Sequence, residues 1–150
     1  MSKLTLKNFM KAITEKLEGL YPEKVVHIGE IPREADGNFY VRLLDSSQEK
    51  HLDRRRKRHL QFEVLYFCVD RDTLKYLDWA EVMYDNFEDL TVAVGNEGET
   101  CTVCLRNQKA YDNKNTAMYQ FLFDAEFYFV MKAEDEPLME NLTQRERTRE

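Results

Sequence analysis

Five consecutive cations, Arg54-Arg55-Arg56-Lys57-Arg58, lead through His59 into the apolar, β-rich segment Leu60-Gln61-Phe62-Glu63-Val64-Leu65-Tyr66-Phe67-Cys68-Val69. A charge run on a loop is solvated and constrains little. One that shares a strand with core residues has its charges held at fixed spacing, alternately on the two faces of a sheet. The even-numbered positions Leu60, Phe62, Val64, Tyr66 and Cys68 form the apolar face. Extended backwards, the alternation puts Arg54, Arg56 and Arg58 on that face and Arg55, Lys57 and His59 on the other. Guanidinium groups in line with core positions are tolerable only beyond the edge of the globule. The basic strand, or the loop that leads into it, is therefore expected to project.

Periodicity organises the rest of the chain. Thr5 is placed to cap a helix whose apolar residues Leu6, Phe9, Met10, Ile13, Leu17 and Leu20 recur at intervals of three and four, ending near Gly19 and Pro22. Val25 to Ile28 reads as a short strand, 29–37 as a loop, and Phe39, Val41 and Leu43 as alternate positions of a second strand. Asp45 to His51 is polar and reads as a mobile connection. Asp70 or Asp72 can begin a second helix with Tyr76, Ala80, Met83, Phe87 and Leu90 on one stripe, flanked by Leu77, Trp79 and Tyr84. Thr91–Val94 and Thr100–Leu105 read as strands around a Gly95–Gly98 turn, and Tyr111–Thr116 as another polar connection. In the strand predicted over Met118–Met131, Tyr119, Phe121, Phe123, Ala125, Phe127 and Phe129 alternate with Gln120, Leu122, Asp124, Glu126, Tyr128 and Val130. Such alternation marks core, not a ligand site. The element order predicts an α+β fold: a mostly antiparallel sheet with two amphipathic helices packed on one face. Residues 1–131 are expected to form a single domain, as suits a chain of 150 residues. Residues 132–150 are expected to be an acidic and polar tail, partly flexible, in which Leu138, Met139 and Leu142 leave room for a short docking turn.

Charge is unevenly shared. The net charge is −6, yet residues 50–59 hold six cations and only Asp53 as an anion, so the remaining chain carries about −11. This separation favours head-to-tail contacts between copies, and an acidic body opposes general binding to nucleic acid. Cys68, Cys101 and Cys104 are too few and too unevenly placed for a disulfide framework, and no charged-then-apolar leader opens the chain, so synthesis in a reducing cytoplasm is expected. No apolar run approaches the roughly 20 residues that span a bilayer, and no membrane association is expected.

Catalysis finds little support. Cys101 and Cys104 have C-x-x-C spacing, but no second pair of Cys or His completes a zinc site, and strand positions three apart point to opposite faces. His27, His51 and His59 are scattered, the last two in a cationic setting that disfavours both protonation and metal binding. No nucleophile elbow, phosphate-cradling glycine loop or H-E-x-x-H helix occurs. The chain is expected to have no catalytic residues, no metal and no cofactor, and not to be an enzyme.

Three readings of the basic run stand together: a solvated stretch, a contact for nucleic acid, or a contact for protein. The run lacks the interleaved aromatic residues that read single strands, whereas the planar fork of Arg suits carboxylates at an interface. The interface residues expected are Arg54, Arg55, Arg56, Lys57 and Arg58, with Gln48, Glu49 and Lys50 from the connection before them. The connections 48–53 and 111–116 are the contact loops of second choice.

Taken together, the opening amphipathic helix, Val26-His27-Ile28-Gly29-Glu30-Ile31, Phe39-Tyr40-Val41-Arg42-Leu43-Leu44, Ser47-Gln48-Glu49-Lys50-His51-Leu52, the basic run and Phe62-Glu63-Val64-Leu65-Tyr66-Phe67 carry a resemblance. Over most of residues 4–131 the chain resembles the tail terminator family of contractile-tailed phages and PBSX-like defective prophages of Gram-positive bacteria. It departs from that family's pattern at Asp53, where the family tends to have Gly before the arginines, and at Asn38, where it tends to have Pro. The resemblance implies a subunit made in the bacterial host cytoplasm and incorporated in a virion tail or a bacteriocin-like particle. It further implies a homohexameric ring on the head-proximal end of the tail tube that stops tube and sheath polymerisation and joins the head. The partners implied are further copies of itself, the tail tube protein, the tail sheath protein, a head-tail connector where a head is present, and DNA in the lumen through non-specific contact. A connector component, or a small nucleic-acid-binding protein using 54–58, is the alternative.

Overall fold

The computed structural model describes residues 4–29, 31–68, 72–94, 98–113 and 115–131. Helix α1, Leu6–Leu20, begins as expected, with the Thr5 hydroxyl accepting the Asn8 N–H at 3.1 Å and so satisfying a donor that the first turn leaves free. Phe9, Ala12, Ile13 and Leu17 are buried, whereas Leu6, at the first helical position, is exposed. Helix α2, Thr73–Asn86, is capped by Asp72, whose carboxylate accepts the Leu74 N–H at 3.2 Å. It buries Trp79, Ala80 and Met83. Phe87 is buried just past its end, and Leu90 belongs to the next strand, not to the helical stripe.

Six strands form a curled, mixed sheet in the order β1-β2-β3-β6-β5-β4. They are β1 Val26–Ile28, β2 Phe39–Lys50, β3 Arg55–Tyr66, β4 Asp89–Ala93, β5 Thr100–Asn113 and β6 Met118–Val130. β1 runs parallel to β2, and every other pairing is antiparallel. β5 pairs with β4 through Thr100–Cys104 and with β6 from Leu105 onward, bulging between Arg106 and Lys109, where Asn107 takes φ +57°. α1 covers the outer edge of β4: Asn8 Nδ2 donates to the Ala93 carbonyl and Lys16 Nζ to the Asp89 carbonyl, both at 3.0 Å.

β3 and β6 pair without a break from Arg55↔Val130 to Tyr66↔Tyr119. The even residues of β3 and the odd residues of β6 therefore share one face throughout. One apolar cluster joins that face, through Leu60, Phe62, Val64, Phe121 and Phe123, to Phe9, Ile13 and Leu17 of α1 and Trp79 and Met83 of α2. A smaller cluster of Tyr40, Leu65 and Phe67 is formed from the opposite parity.

Two segments expected to be connections are strands. Gln48, Glu49 and Lys50 lie in β2 and pair with Arg58, Lys57 and Arg56. Tyr111, Asp112 and Asn113 lie in β5 and pair with Gln120, Tyr119 and Met118. Polar residues with solvent on both faces lack the alternation by which a half-buried strand announces itself, so backbone pairing alone reveals them. β3 ends at Tyr66, and Cys68 is buried beyond it. Val69, the centre of the Gly95–Gly98 turn and the tail 132–150 lie outside the described residues. Among the described residues no helix is long and apolar enough to cross a membrane.

Candidate protein interface at the basic end of the sheet

A tight turn joins β2 to β3. The His51 N–H donates to the Arg55 carbonyl at 2.9 Å, and the Arg55 N–H donates to the Leu52 carbonyl at 3.1 Å. Leu52 at the tip is 89% exposed. Arg54 thus belongs to the turn and Arg55 to Arg58 to β3, while β6 runs alongside to Val130. A bond from the Met131 N–H to the Arg54 carbonyl at 2.7 Å carries the pairing one step further. The basic run is the middle of three strands, β2-β3-β6.

Its two faces differ in charge balance. On one, β6 supplies carboxylates: Lys57 Nζ lies 3.7 Å from Glu126 Oε1, which Arg106 also approaches to 3.7 Å. His59 Nε2 lies 3.6 Å from Asp124 Oδ2, which accepts from Asn107 Nδ2 at 2.8 Å. Arg55 and Lys57 flank the Tyr128 ring at 6.0 and 5.8 Å. Further along this face Glu63, only 2% exposed, accepts from Arg42 Nε at 2.8 Å and from Gln120.

On the other face Arg56 and Arg58 stand opposite Phe129 and Phe127. The Arg58 guanidinium lies 4.7 Å from the Phe129 ring centroid, and its Nε donates to Gln48 Oε1 at 3.0 Å. Arg56 donates to the Asp53 and Arg55 carbonyls at 3.3 and 2.9 Å. Among the described residues neither of these arginines, nor Arg54, has a carboxylate partner. A guanidinium group without an acid beside it has the planar donor geometry that pairs with a carboxylate or phosphate.

The sequence-selected set is therefore brought together on adjacent strands, with Gln48 holding Arg58 and Glu49 reaching His51 at 3.3 Å. Sequence reasoning missed Phe129, Tyr128, Glu126 and Asp124 as partners of the run. All four were visible in the alternating strand, but their register against the basic residues was not. A cavity of about 410 Å³ lies beneath the turn, lined by His51, Leu52, Asp53, Arg54, Arg55 and Val130.

Chemistry elsewhere is sparse. A cavity of about 420 Å³ at the far end of β3 is lined by residues including Tyr21, Lys24, Tyr66, Trp79 and Tyr119. Burial, with help from Tyr66 and Glu23, pushes the Tyr21 phenol up to about 12. Burial and the neighbouring Cys68 do the same for Tyr119. His27 stacks on Tyr40 at 4.7 Å, well apart in role from His59 on its aspartate. No group of three or more His, Cys, Asp and Glu able to hold a metal occurs among the described residues.

Comparison with known proteins supplies the family. A family described as phage tail terminator protein matches residues 8–137. The chain belongs to the phage tail terminator family. Membership makes it a structural protein of the phage tail. No curated protein matches it.

In this terminator Asp53 and Asn38, the two positions singled out by the sequence resemblance, each have a structural account. Asp53 takes φ +61°, a left-handed conformation in which Gly is unstrained and Asp is better tolerated than most residues. Asn38 uses the N–H that Pro would lack, donating to Asp36 Oδ1 at 3.0 Å, and its side chain accepts the Val25 N–H at 3.1 Å. Burial would raise the Asp36 carboxyl, but hydrogen bonds from the Tyr40 hydroxyl and from Asn38 outweigh it and hold the group below the usual carboxylate range.

Proposed function

We propose that this chain closes, in six copies, into a ring on the head-proximal end of a tail tube, where it stops tube and sheath polymerisation and offers the surface that joins the head. The observation that carries this reading is the family match over residues 8–137. The tail is of the contractile type, in a phage, a PBSX-like defective prophage or a bacteriocin-like particle, and the subunit is made in the host cytoplasm. Residues 1–131 act as the body and 132–150 as a partly flexible tail. Arg54, Arg56 and Arg58 meet an acidic neighbour, with Arg55, Lys57, Gln48, Glu49 and Lys50 shaping the contact. The neighbours are further copies, tube protein, sheath protein and, where a head exists, its connector. The work is steric and involves no cofactor.

The deciding experiment is negative-stain electron microscopy of particles made with this gene deleted. Tails that overrun the normal length support termination; uniform tails of normal length overturn it and favour a connector role. One observation favours a second reading, contact with DNA in the lumen: Arg58 lies over the Phe129 ring, a cation beside an aromatic platform. If Arg54, Arg56 and Arg58 met phosphates, log affinity for duplex DNA would fall with log salt at a slope of about −2.7. A slope near zero removes that reading.

A further inference from the structure

The sheet protects its terminal strands. β4 is covered by the Asn8 and Lys16 donors of α1, and β1 is three residues long. The basic end is different. β1 pairs with β2 only as far as Val41, and β5 parts from β6 beyond Ala125. Among the described residues no strand lies beside 44–50 of β2 or beside 126–130 of β6, so this end has two open edges.

The phase of the ladders says which groups they present. Bonding alternates along an antiparallel pair. The His51 N–H bond to Arg55 turns Glu49 and Ser47 inward and leaves the backbone groups of Ser46, Gln48 and Lys50 facing out. The Met131 N–H bond to Arg54 turns Phe129 and Phe127 inward and leaves those of Glu126, Tyr128 and Val130 facing out. Both strands are antiparallel to β3, so both run the same way, towards the turn. Exposed apolar side chains lie on these two strands and on the turn: Leu44, Leu52, Tyr128 and Val130 are 42%, 89%, 56% and 50% exposed.

We propose that residues 126–130 of β6 in one copy pair in parallel with residues 44–50 of β2 in the next, continuing the sheet from subunit to subunit. The inference rests on the ring reading and names the surfaces that build it. Two different edges meet, so the contact is heterologous and suits a closed ring of like-oriented copies. It pairs the open N–H and C=O groups of both strands and covers Tyr128 and Val130. The matched direction and neighbouring position of the two edges favour a second copy over a foreign strand as occupant.

Cross-linking in assembled tails tests it. In a Cys101→Ser, Cys104→Ser background, Ser47→Cys is combined in turn with Glu126→Cys, Tyr128→Cys or Val130→Cys, all on one face. One combination is expected to give, on oxidation, a disulfide ladder rising to the copy number of the ring, with each single cysteine giving none. Tails of normal length without a ladder from any combination, or dimers from Ser47→Cys alone, overturn the edge pairing and leave the ring reading standing. Normal tail length in the gene deletion overturns the ring reading itself. Ser46→Pro removes an outward N–H that bonds no other strand, only the adjacent Asp45 Oδ1 at 3.0 Å, and is expected to keep the monomer's melting temperature while tails overrun. Tails of normal length with Ser46→Pro count against the proposal.

Discussion

Arg56 and Lys57 are adjacent in sequence and opposite in circumstance. Lys57 is 3.7 Å from the Glu126 carboxylate, while Arg56 meets only backbone carbonyls and faces a phenylalanine. Arg56→Gln with Arg58→Gln is therefore expected to disturb tail length in a complementation assay, and Lys57→Gln to disturb it less. All three should shift stability by under about 0.5 kcal/mol, being surface changes. At Asp53 the backbone sets the outcome. With φ at +61°, Asp53→Gly should stabilise by up to about 1 kcal/mol and Asp53→Val should destabilise by about 1–2 kcal/mol, read from denaturant midpoints. The phenols of Tyr21 and Tyr119 titrate near 12 in the folded chain, against about 10 unfolded. The unfolded chain thus loses protons first, so their contribution is complete below pH 10 and fades as pH rises from about 10 to 12. Tyrosinate absorbance should show these two lagging, and melting temperature falling, across that window.

Among the elements, β2, β3 and β6 each do two jobs. Towards Tyr66 and Tyr119 they build the core, and towards the turn they become a polar three-stranded surface. The change is sharpest on the face carrying Glu63, a buried carboxylate held by Arg42 and Gln120. Removing one partner of a buried ion strands the other. Arg42→Ala should cost about 3 kcal/mol, the low end for such pairs because Arg42 is half exposed and Gln120 remains. Arg42→Met with Glu63→Leu should cost much less, and a double-mutant cycle by urea denaturation measures the difference. The helices were legible because caps and stripes are local: Thr5 and Asp72 cap as their positions predict. The polar halves of β2 and β5 were not, since nothing within 45–50 or 111–113 distinguishes a solvated strand from a loop.

For the whole molecule, charge and sheet edge make separable contributions to assembly. Guanidinium contacts to an acidic neighbour weaken with salt, because the Debye length shrinks from about 10 Å at 0.1 M to about 3 Å at 1 M. Backbone pairing is far less sensitive. Retention of the subunit on isolated tubes should fall several-fold over that range for the natural chain. An Arg54→Gln, Arg56→Gln, Arg58→Gln variant should bind more weakly at low salt and change little with added salt. Equal salt dependence of the two would remove the arginine face from the contact.

The sequence by itself determined what depends on near neighbours. The repeat of three and four in α1, the alternation in β6 and the parity of Arg54, Arg56 and Arg58 with Leu60 and Phe62 all follow from the geometry of a single element. Tertiary structure decided what depends on residues remote in the chain. It set Glu126 against Lys57 and Asp124 against His59, so that one face of the basic strand is neutralised and the other is not. It also ended β1 at Ile28 and turned β5 away beyond Ala125 of β6, opening two edges that no local pattern records. The reason is physical: periodicity fixes which way a side chain points, but charge balance and strand pairing depend on what the fold places opposite it.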